Sequence, residues 1–165
     1  MILPKFWNDD YKTLDYITDY VTSSDTQQQW TVQGHLSEAV VIANYHSNRP
    51  MPAWVKEFDQ YFPNFENFAI TLHRIDVGRY FPKHADHYKK YKEVFNIPDG
   101  QDVYRLVMFF EDRSPGQFYE IDDVVYTNWK AGQVYQWKND TTHMVANLGE
   151  SPRYALIATC TKKVA

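Results

Sequence analysis

The sequence predicts a mainly β protein with flanking helices, a β-sandwich or barrel, and three observations carry that reading. After Pro63, short apolar segments recur at regular intervals, each bounded by turn-forming residues. Aromatic residues make up 17% of the chain, and the 13 Tyr and 10 Phe among them favour strands over helices. Before Pro63 the apolar spacing is mixed, so the helices are expected to flank the β region rather than interrupt it.

Taken in order, the elements are these. From Asp9 onward, Tyr11, Leu14, Ile17, Tyr20 and Val21 recur at helical spacing, behind a cap at Asn8 or Asp9. Residues 39–45 read as a strand. A second helix is expected over 52–61, with Pro52 in its first turn and Trp54, Val55, Phe58, Tyr61 and Phe62 as its apolar face. Strands then follow at 68–75, 104–111, 117–120, 124–127, 133–137, 143–147 and 154–161. Turn chemistry separates them at Pro98-Asp99-Gly100, Ser114-Pro115-Gly116, Ala131-Gly132, Asn139-Asp140 and Gly149-Glu150-Ser151-Pro152. Residues 89–101 form the one longer connection, placed where a lid or substrate-contacting loop is expected. There is no repeat or linker, so 1–165 is expected to be a single domain, with a mixed helical and strand region over 1–66 and a β core over 67–162.

Composition narrows the function classes. With 44% apolar and 23% charged residues, the 165-residue chain is expected to be an ordinary globular protein able to bury a core. A net charge of −4 gives no footprint for unassisted binding to duplex nucleic acid. Cys160 is the only cysteine, which excludes an intrachain disulfide and a Cys-rich zinc site. The start lacks a signal-peptide core and no apolar run reaches the length of a membrane span, so no membrane partner is expected and the cytoplasm is the expected location.

The chemistry lies in His84-Ala85-Asp86, followed downstream by His143 and Arg153. In an extended segment alternate side chains share a face, so His84 and Asp86 can address one ion while Ala85 points away. Two His and one carboxylate leave the opposite positions of a metal open, as in non-haem Fe(II) oxygenases; zinc with a bound water accepts the same set. Arg153 follows His143 across the turn Gly149 to Pro152. On antiparallel neighbouring strands the two would face one cavity. A guanidinium fork there suits the far carboxylate of a dicarboxylic acid held by its other end on the metal.

With those residues in place, the chain resembles the Fe(II)- and 2-oxoglutarate-dependent dioxygenases, in particular the aspartyl/asparaginyl hydroxylase-like and small phage or bacterial members. The likeness covers about residues 68–161. It runs through H-x-D, the glycine turn at Ala131-Gly132 with the strand after it, His143 to Asn147 as H-x-x-x-N, and Arg153 to Leu156 as R-x-x-L. Asp86 makes the site resemble the general three-ligand type rather than hydroxylases lacking the carboxylate. Arg153, where prolyl hydroxylase relatives usually place Lys, points away from that subclass. The resemblance implies a double-stranded β-helix, also called a jelly roll and shared with cupins. It implies that His84, Asp86 and His143 bind Fe(II) and that Arg153 binds the 2-oxoglutarate C5 carboxylate, with Arg105 as a second cosubstrate contact. Oxygen would be consumed, succinate and CO2 released, and a small molecule or a peptide or protein residue hydroxylated, in the host cytoplasm if the gene is phage-borne. Two other readings of the residues stay open: a zinc-dependent hydrolase on the same three ligands, and a non-catalytic cupin-like binding module.

Other polar residues weigh less. His87, one position after Asp86, would point away from it. His73 inside a strand reads as a satisfied core or surface histidine, and His35 and His46 have no partner spacing. Lys89, Lys90 and Lys92, with Tyr88 and Tyr91, read as a solvated loop or as contacts to an acidic substrate. Asp122-Asp123 reads as a polar turn.

Overall fold

Strand pairing in the computed structural model, which describes residues 1–19, 24–35 and 38–163, defines the architecture. In chain order the elements are β1 (Ile17–Asp19), α1 (Ser24–Val32), β2 (Ile42–His46), β3 (Phe65–Ile75), β4 (Arg79–His84) and α2 (Lys89–Phe95). There follow β5 (Val103–Phe109), β6 (Gln117–Ile121), β7 (Val124–Tyr126), β8 (Val134–Lys138), β9 (His143–Asn147) and β10 (Arg153–Lys162). A six-stranded sheet has the order β1-β2-β3-β10-β5-β8 and a four-stranded sheet the order β4-β9-β6-β7. The pairs β3–β10, β4–β9, β5–β8 and β6–β7 are all antiparallel and nest inside one another. That nesting is a long hairpin rolled up so that its strands are shared between two facing sheets. The fold is a double-stranded β-helix.

Side-chain alternation gives each face of the six-stranded sheet its own core. On β5, Val107 and Phe109 belong to the core between the sheets, while Leu106 and Met108 belong to the core on the outer face. On β10, Ala155 and Ile157 point between the sheets, and Leu156, Ala158 and Cys160 point outward. The outer core is completed by N-terminal residues, among them Leu3, Trp7, Tyr11, Trp54, Phe58 and Phe62. The early stretch of the chain thus covers one sheet, and β1 and β2 extend that same sheet.

Both predicted N-terminal helices are corrected. The segment from Asp9 forms only a 3-10 turn, Asp9–Thr13, capped by the Asn8 side chain accepting from the Asp10 amide. Ile17 and Thr18 instead pair with Asn44 and Ala43, because β-branched residues beside an open sheet edge gain more from a ladder than from a helix. Tyr20 and Val21 of that predicted helix lie outside the described residues. The segment 52–61 is two 3-10 turns, Ala53–Glu57 and Asp59–Tyr61, with Pro52 as the extended N-cap rather than in the first turn. Their bulky side chains, Trp54, Val55 and Phe58, are anchored in the outer core, and that packing governs the backbone.

Three further differences concern connections. The predicted strand 39–45 begins only at Ile42. The connection 89–101 starts with the helix α2, and neither α1 nor β4 is among the predicted elements. Elsewhere the strands and turns fall where turn chemistry places them. Asp122 and Asp123 close the β6–β7 hairpin with positive φ at both positions, the twist-matched geometry of a two-residue turn. Gly116 and Gly149 bring two loops into backbone contact, and a Cβ on either would collide with the other loop's main chain.

Candidate metal centre

Between the sheets, the inward-facing positions change from apolar to polar towards one end. β4 supplies the first ligand through an irregularity. Phe81 pairs with Val145 and His84 with His143, so three residues on β4 span what two span on β9. In a regular strand Phe81 and His84 would face opposite sides; the bulge lets both face inward. Pro82, which has no amide to give the ladder, sits in this bulge. Lys83 is turned outward to Glu120 and Asp123.

His84 and His143 lie directly across from one another, with ring centroids 4.4 Å apart. Each Nδ1 faces a carbonyl, Pro82 O at 2.7 Å for His84 and Thr141 O at 3.2 Å for His143. A carbonyl only accepts, so Nδ1 carries the proton and each Nε2 presents a lone pair. Both Nε2 atoms face Asp86, at 3.5 Å from Oδ1 for His84 and 3.7 Å from Oδ2 for His143. The three residues offer ligand atoms all within 4.8 Å of one another. Ligands about 2.1 Å from an ion and at right angles lie about 3 Å apart, so small rotations suffice to close the set on a metal. Burial, against the opposing pull of Asp86, lowers the His143 pKa to about 4, leaving the neutral ring that a metal requires.

Asp86 is held as a carboxylate. Burial works against its charge, but Arg105 above all, with His84 and His143, keeps its pKa far below the ordinary carboxylate range. Arg105 Nη2 donates to Asp86 Oδ2 at 2.6 Å, and Nη1 donates to Thr159 Oγ1 at 2.9 Å. The Tyr88 ring lies on this guanidinium at 5.1 Å. Burial likewise opposes the Arg105 charge, and Asp86 reverses the balance and raises its pKa.

Arg153 differs. It is 3% exposed, and its Nε and Nη1 have no hydrogen-bond partner. The guanidinium lies against the rings of Phe109 at 5.3 Å and Tyr119 at 5.2 Å, which meet each other edge to face at 5.9 Å and hold it without neutralising it. Burial lowers its pKa to about 10, so it stays charged at neutral pH. A buried, unpaired guanidinium costs several kcal/mol. Its unpartnered N–H groups leave donors open to an anion in the cavity.

The condition under which the sequence brings His143 and Arg153 together, antiparallel neighbouring strands, is not met: β9 and β10 lie in different sheets. The two residues meet across the sandwich, lining one cavity of about 100 Å³ together with His73, His84, Asp86 and Arg105. Thus His84, Asp86, His143, Arg105 and Arg153 all come together. His87 is exposed and stands outside the ligand cluster, as its parity predicts. His73, read as a core or surface histidine, faces the cavity with its pKa lowered by burial and then by Arg105 and Arg153. The sequence reading missed Tyr119 and Trp137, which also line the cavity. Period-two counting would have found Trp137, since it lies opposite Arg105 in the β5–β8 register.

Fold and site together define a double-stranded β-helix carrying a two-His, one-Asp cluster able to hold a metal ion. No family model matches the chain, and no curated protein matches it. Solved structures of similar shape include a predicted oxalate decarboxylase from Thermotoga maritima, 11% identical with a TM-score of 0.45, the match covering 73% of this chain and 81% of that one. Another is a cupin 2 conserved barrel domain protein from Salinispora arenicola, 14% identical, TM-score 0.43, covering 72% and 74%. A cupin domain from Schizosaccharomyces pombe is 9% identical, TM-score 0.43, covering 73% and 65%. At these identities and scores none assigns a family or an activity, and the fold rests on the strand pairing itself. Among the described residues, no helix is long and apolar enough to cross a membrane.

Proposed function

We propose that this chain is an Fe(II)- and 2-oxoglutarate-dependent oxygenase that hydroxylates a small molecule or a peptide residue. One observation carries the reading: the buried Arg153 guanidinium, with Nε and Nη1 unpartnered, shares a small cavity with the His84, Asp86 and His143 cluster. A dicarboxylate fits both ends of that arrangement, with one end on the metal and the other on the guanidinium fork. His84, Asp86 and His143 would hold Fe(II), which suits a facial set of two imidazoles and a carboxylate. When bound, iron and 2-oxoglutarate supply the oxidising chemistry: one atom of O2 ends in the substrate as C–OH in place of C–H, the other in succinate, and CO2 leaves.

The remaining work belongs to the chain. The Nδ1–H bonds to Pro82 and Thr141 fix both imidazoles in the ligating tautomer. Arg105 keeps Asp86 ionised and oriented, and as a second cation on the cavity it complements the dianionic cosubstrate. Phe109 and Tyr119 pack against the Arg153 guanidinium and help hold it at the cavity. Trp137, packed against His143 at 4.9 Å and only 6% exposed, helps keep water from the reacting centre.

A zinc hydrolase on the same ligands would lack a second carboxylate to assist proton removal from water, since among the described residues Asp86 is the only carboxylate lining the cavity. That reading also leaves Arg153 without a partner. Succinate release measured with Fe(II), 2-oxoglutarate and panels of candidate substrates tests the oxygenase reading. Release that requires iron and disappears in His143→Ala supports it; a zinc-loaded chain hydrolysing substrate without 2-oxoglutarate overturns it.

A further inference from the structure

One ligand of the metal cluster is touched by a side chain from outside both sheets. Trp30, on α1, packs edge to face on the His84 ring, with centroids 5.8 Å apart and planes at 76°. It packs in the same way on Phe81, at 5.1 Å and 82°. Phe81 in turn meets His84 edge to face at 4.9 Å. The three rings close a triangle, and Phe81 and His84 both line the cavity. Edge-to-face contacts are directional, each contributing about 0.5–1.5 kcal/mol beyond burial, so such a triangle resists rotation of any one ring.

His84 has more need of that support than His143. Its side chain is 18% exposed, against 8% for His143. It ends β4, an edge strand of the four-stranded sheet, and lies at the bulge in that strand. The Nδ1 bond to Pro82 O sets its tautomer, but that carbonyl belongs to the same bulge and moves with it. Of the rings around His84, Phe81 is on its own strand and His143 is the facing ligand. Trp30 is the ring that ties it to a separate element.

α1 seats on the body through Trp30. Its sequence, Ser24-Asp25-Thr26-Gln27-Gln28-Gln29-Trp30-Thr31-Val32, has no apolar stripe. From Gln28 to Val32 only Trp30 is buried, and Val32 is exposed. A nine-residue helix is marginal in water by itself, so α1 depends on the seat it finds. That seat is β4: just after the helix, His35 Nδ1 lies 3.0 Å from Tyr80 Oη on the same strand. If the docked helix favours the ligating orientation of His84, a metal on His84 favours the docked helix by the same factor.

We propose that Trp30 is a positioning residue for the metal centre. It holds the His84 imidazole with Nε2 turned to Asp86, and through it metal binding tightens the docking of α1. This coupling needs the His84, Asp86 and His143 cluster alone and holds for whichever metal and cosubstrate the site takes.

The test uses the full chain and Co(II), whose visible absorption reports coordination, with affinity read by competition against a fluorescent chelator. Trp30→Leu keeps an apolar side chain and removes the ring; Trp30→Phe keeps a ring. Co(II) affinity should fall about tenfold or more in Trp30→Leu, with a changed visible band, and stay near wild type in Trp30→Phe. A merely structural role would lower the thermal transition of the metal-free variants and leave Co(II) affinity alone. In the wild-type chain, amide hydrogen exchange over residues 28–32 should slow about tenfold on adding Co(II). Co(II) affinity unchanged in Trp30→Leu, an equal loss in Trp30→Phe, or exchange in α1 indifferent to the metal overturns the proposal. Failure of the wild-type chain to bind Co(II) overturns it as well. Iron-dependent binding of 2-oxoglutarate is measured in parallel. Its absence beside a metal-responsive α1 would sink the oxygenase reading alone.

Discussion

Asn147, at the end of β9, donates from Nδ2 across to the carbonyl of Ile75 at 2.8 Å, and Ile75 is the register partner of Arg153. The same amide donates to Ser151 O at 2.8 Å, and its Oδ1 accepts from the Gly149 amide at 3.2 Å. One fully buried side chain therefore fixes the turn between the strand carrying His143 and the strand carrying Arg153. Asn147→Ala should cost about 2–4 kcal/mol, because it leaves buried backbone groups unpaired. Urea denaturation checks the cost. Weaker 2-oxoglutarate binding, beside nearly unchanged metal binding in the folded variant, would show that the turn serves Arg153.

Burial costs Arg153 more than its contacts with Phe109 and Tyr119 return, and a bound anion would offset the rest. Arg153→Met removes a buried, unpaired charge at similar length, and should stabilise the ligand-free chain by on the order of 1–3 kcal/mol. The same variant should lose 2-oxoglutarate binding. Arg153→Lys keeps the charge but not the fork, and its affinity should fall at least tenfold. A variant that is less stable and still binds the cosubstrate would contradict this account.

The Arg105–Asp86 pair is expected to act through the metal. Arg105→Gln leaves Asp86 in place but no longer held by a cation, and metal affinity should fall about 10–100-fold. Competition with a fluorescent chelator measures it. Unchanged affinity would show that Asp86 needs no such support.

Stability should depend on pH through two imidazoles that line the cavity, His143 and His73. His143 is lowered to about 4 and His73 is lowered well below its ordinary value, both mainly by burial. The unfolded chain takes up protons below about pH 6.5 while the folded chain does not. Their contribution is therefore complete above that pH and is lost as pH falls towards 4. Asp86 has its pKa lowered too, but its contribution is lost only below the ordinary carboxylate pKa of about 4, so the windows separate. Urea midpoints of the metal-free chain should drop between pH 7 and pH 5, and His73→Phe should flatten the drop. A flat profile in the wild type would refute the assignment.

Much of the β core was legible because turn chemistry is local. Ser114-Pro115-Gly116, Asp122-Asp123 and Gly149 to Pro152 delimit strands whichever sheet the strands join. The candidate ligand residues were legible because parity puts His84 and Asp86 on one side of an extended chain. Sheet membership was not. Whether β10 pairs with β9 or with β3 and β5 depends on contacts far along the chain, and so a shared cavity for His143 and Arg153 could be read only on the condition that their strands are neighbours. The N-terminal helices failed for a related reason. The spacing of Tyr11, Leu14 and Ile17 suits a helix, yet burial against the outer face of a finished sheet decides their conformation. The Arg105–Asp86 bond joins residues 19 apart, and no local pattern announces it.

The most direct test of the central claim is anaerobic titration calorimetry of 2-oxoglutarate into the metal-free and the Fe(II)-loaded chain. The account predicts binding that needs the metal and is lost in both His143→Ala and Arg153→Met. Equally tight binding without the metal, or binding that survives Arg153→Met, would contradict it.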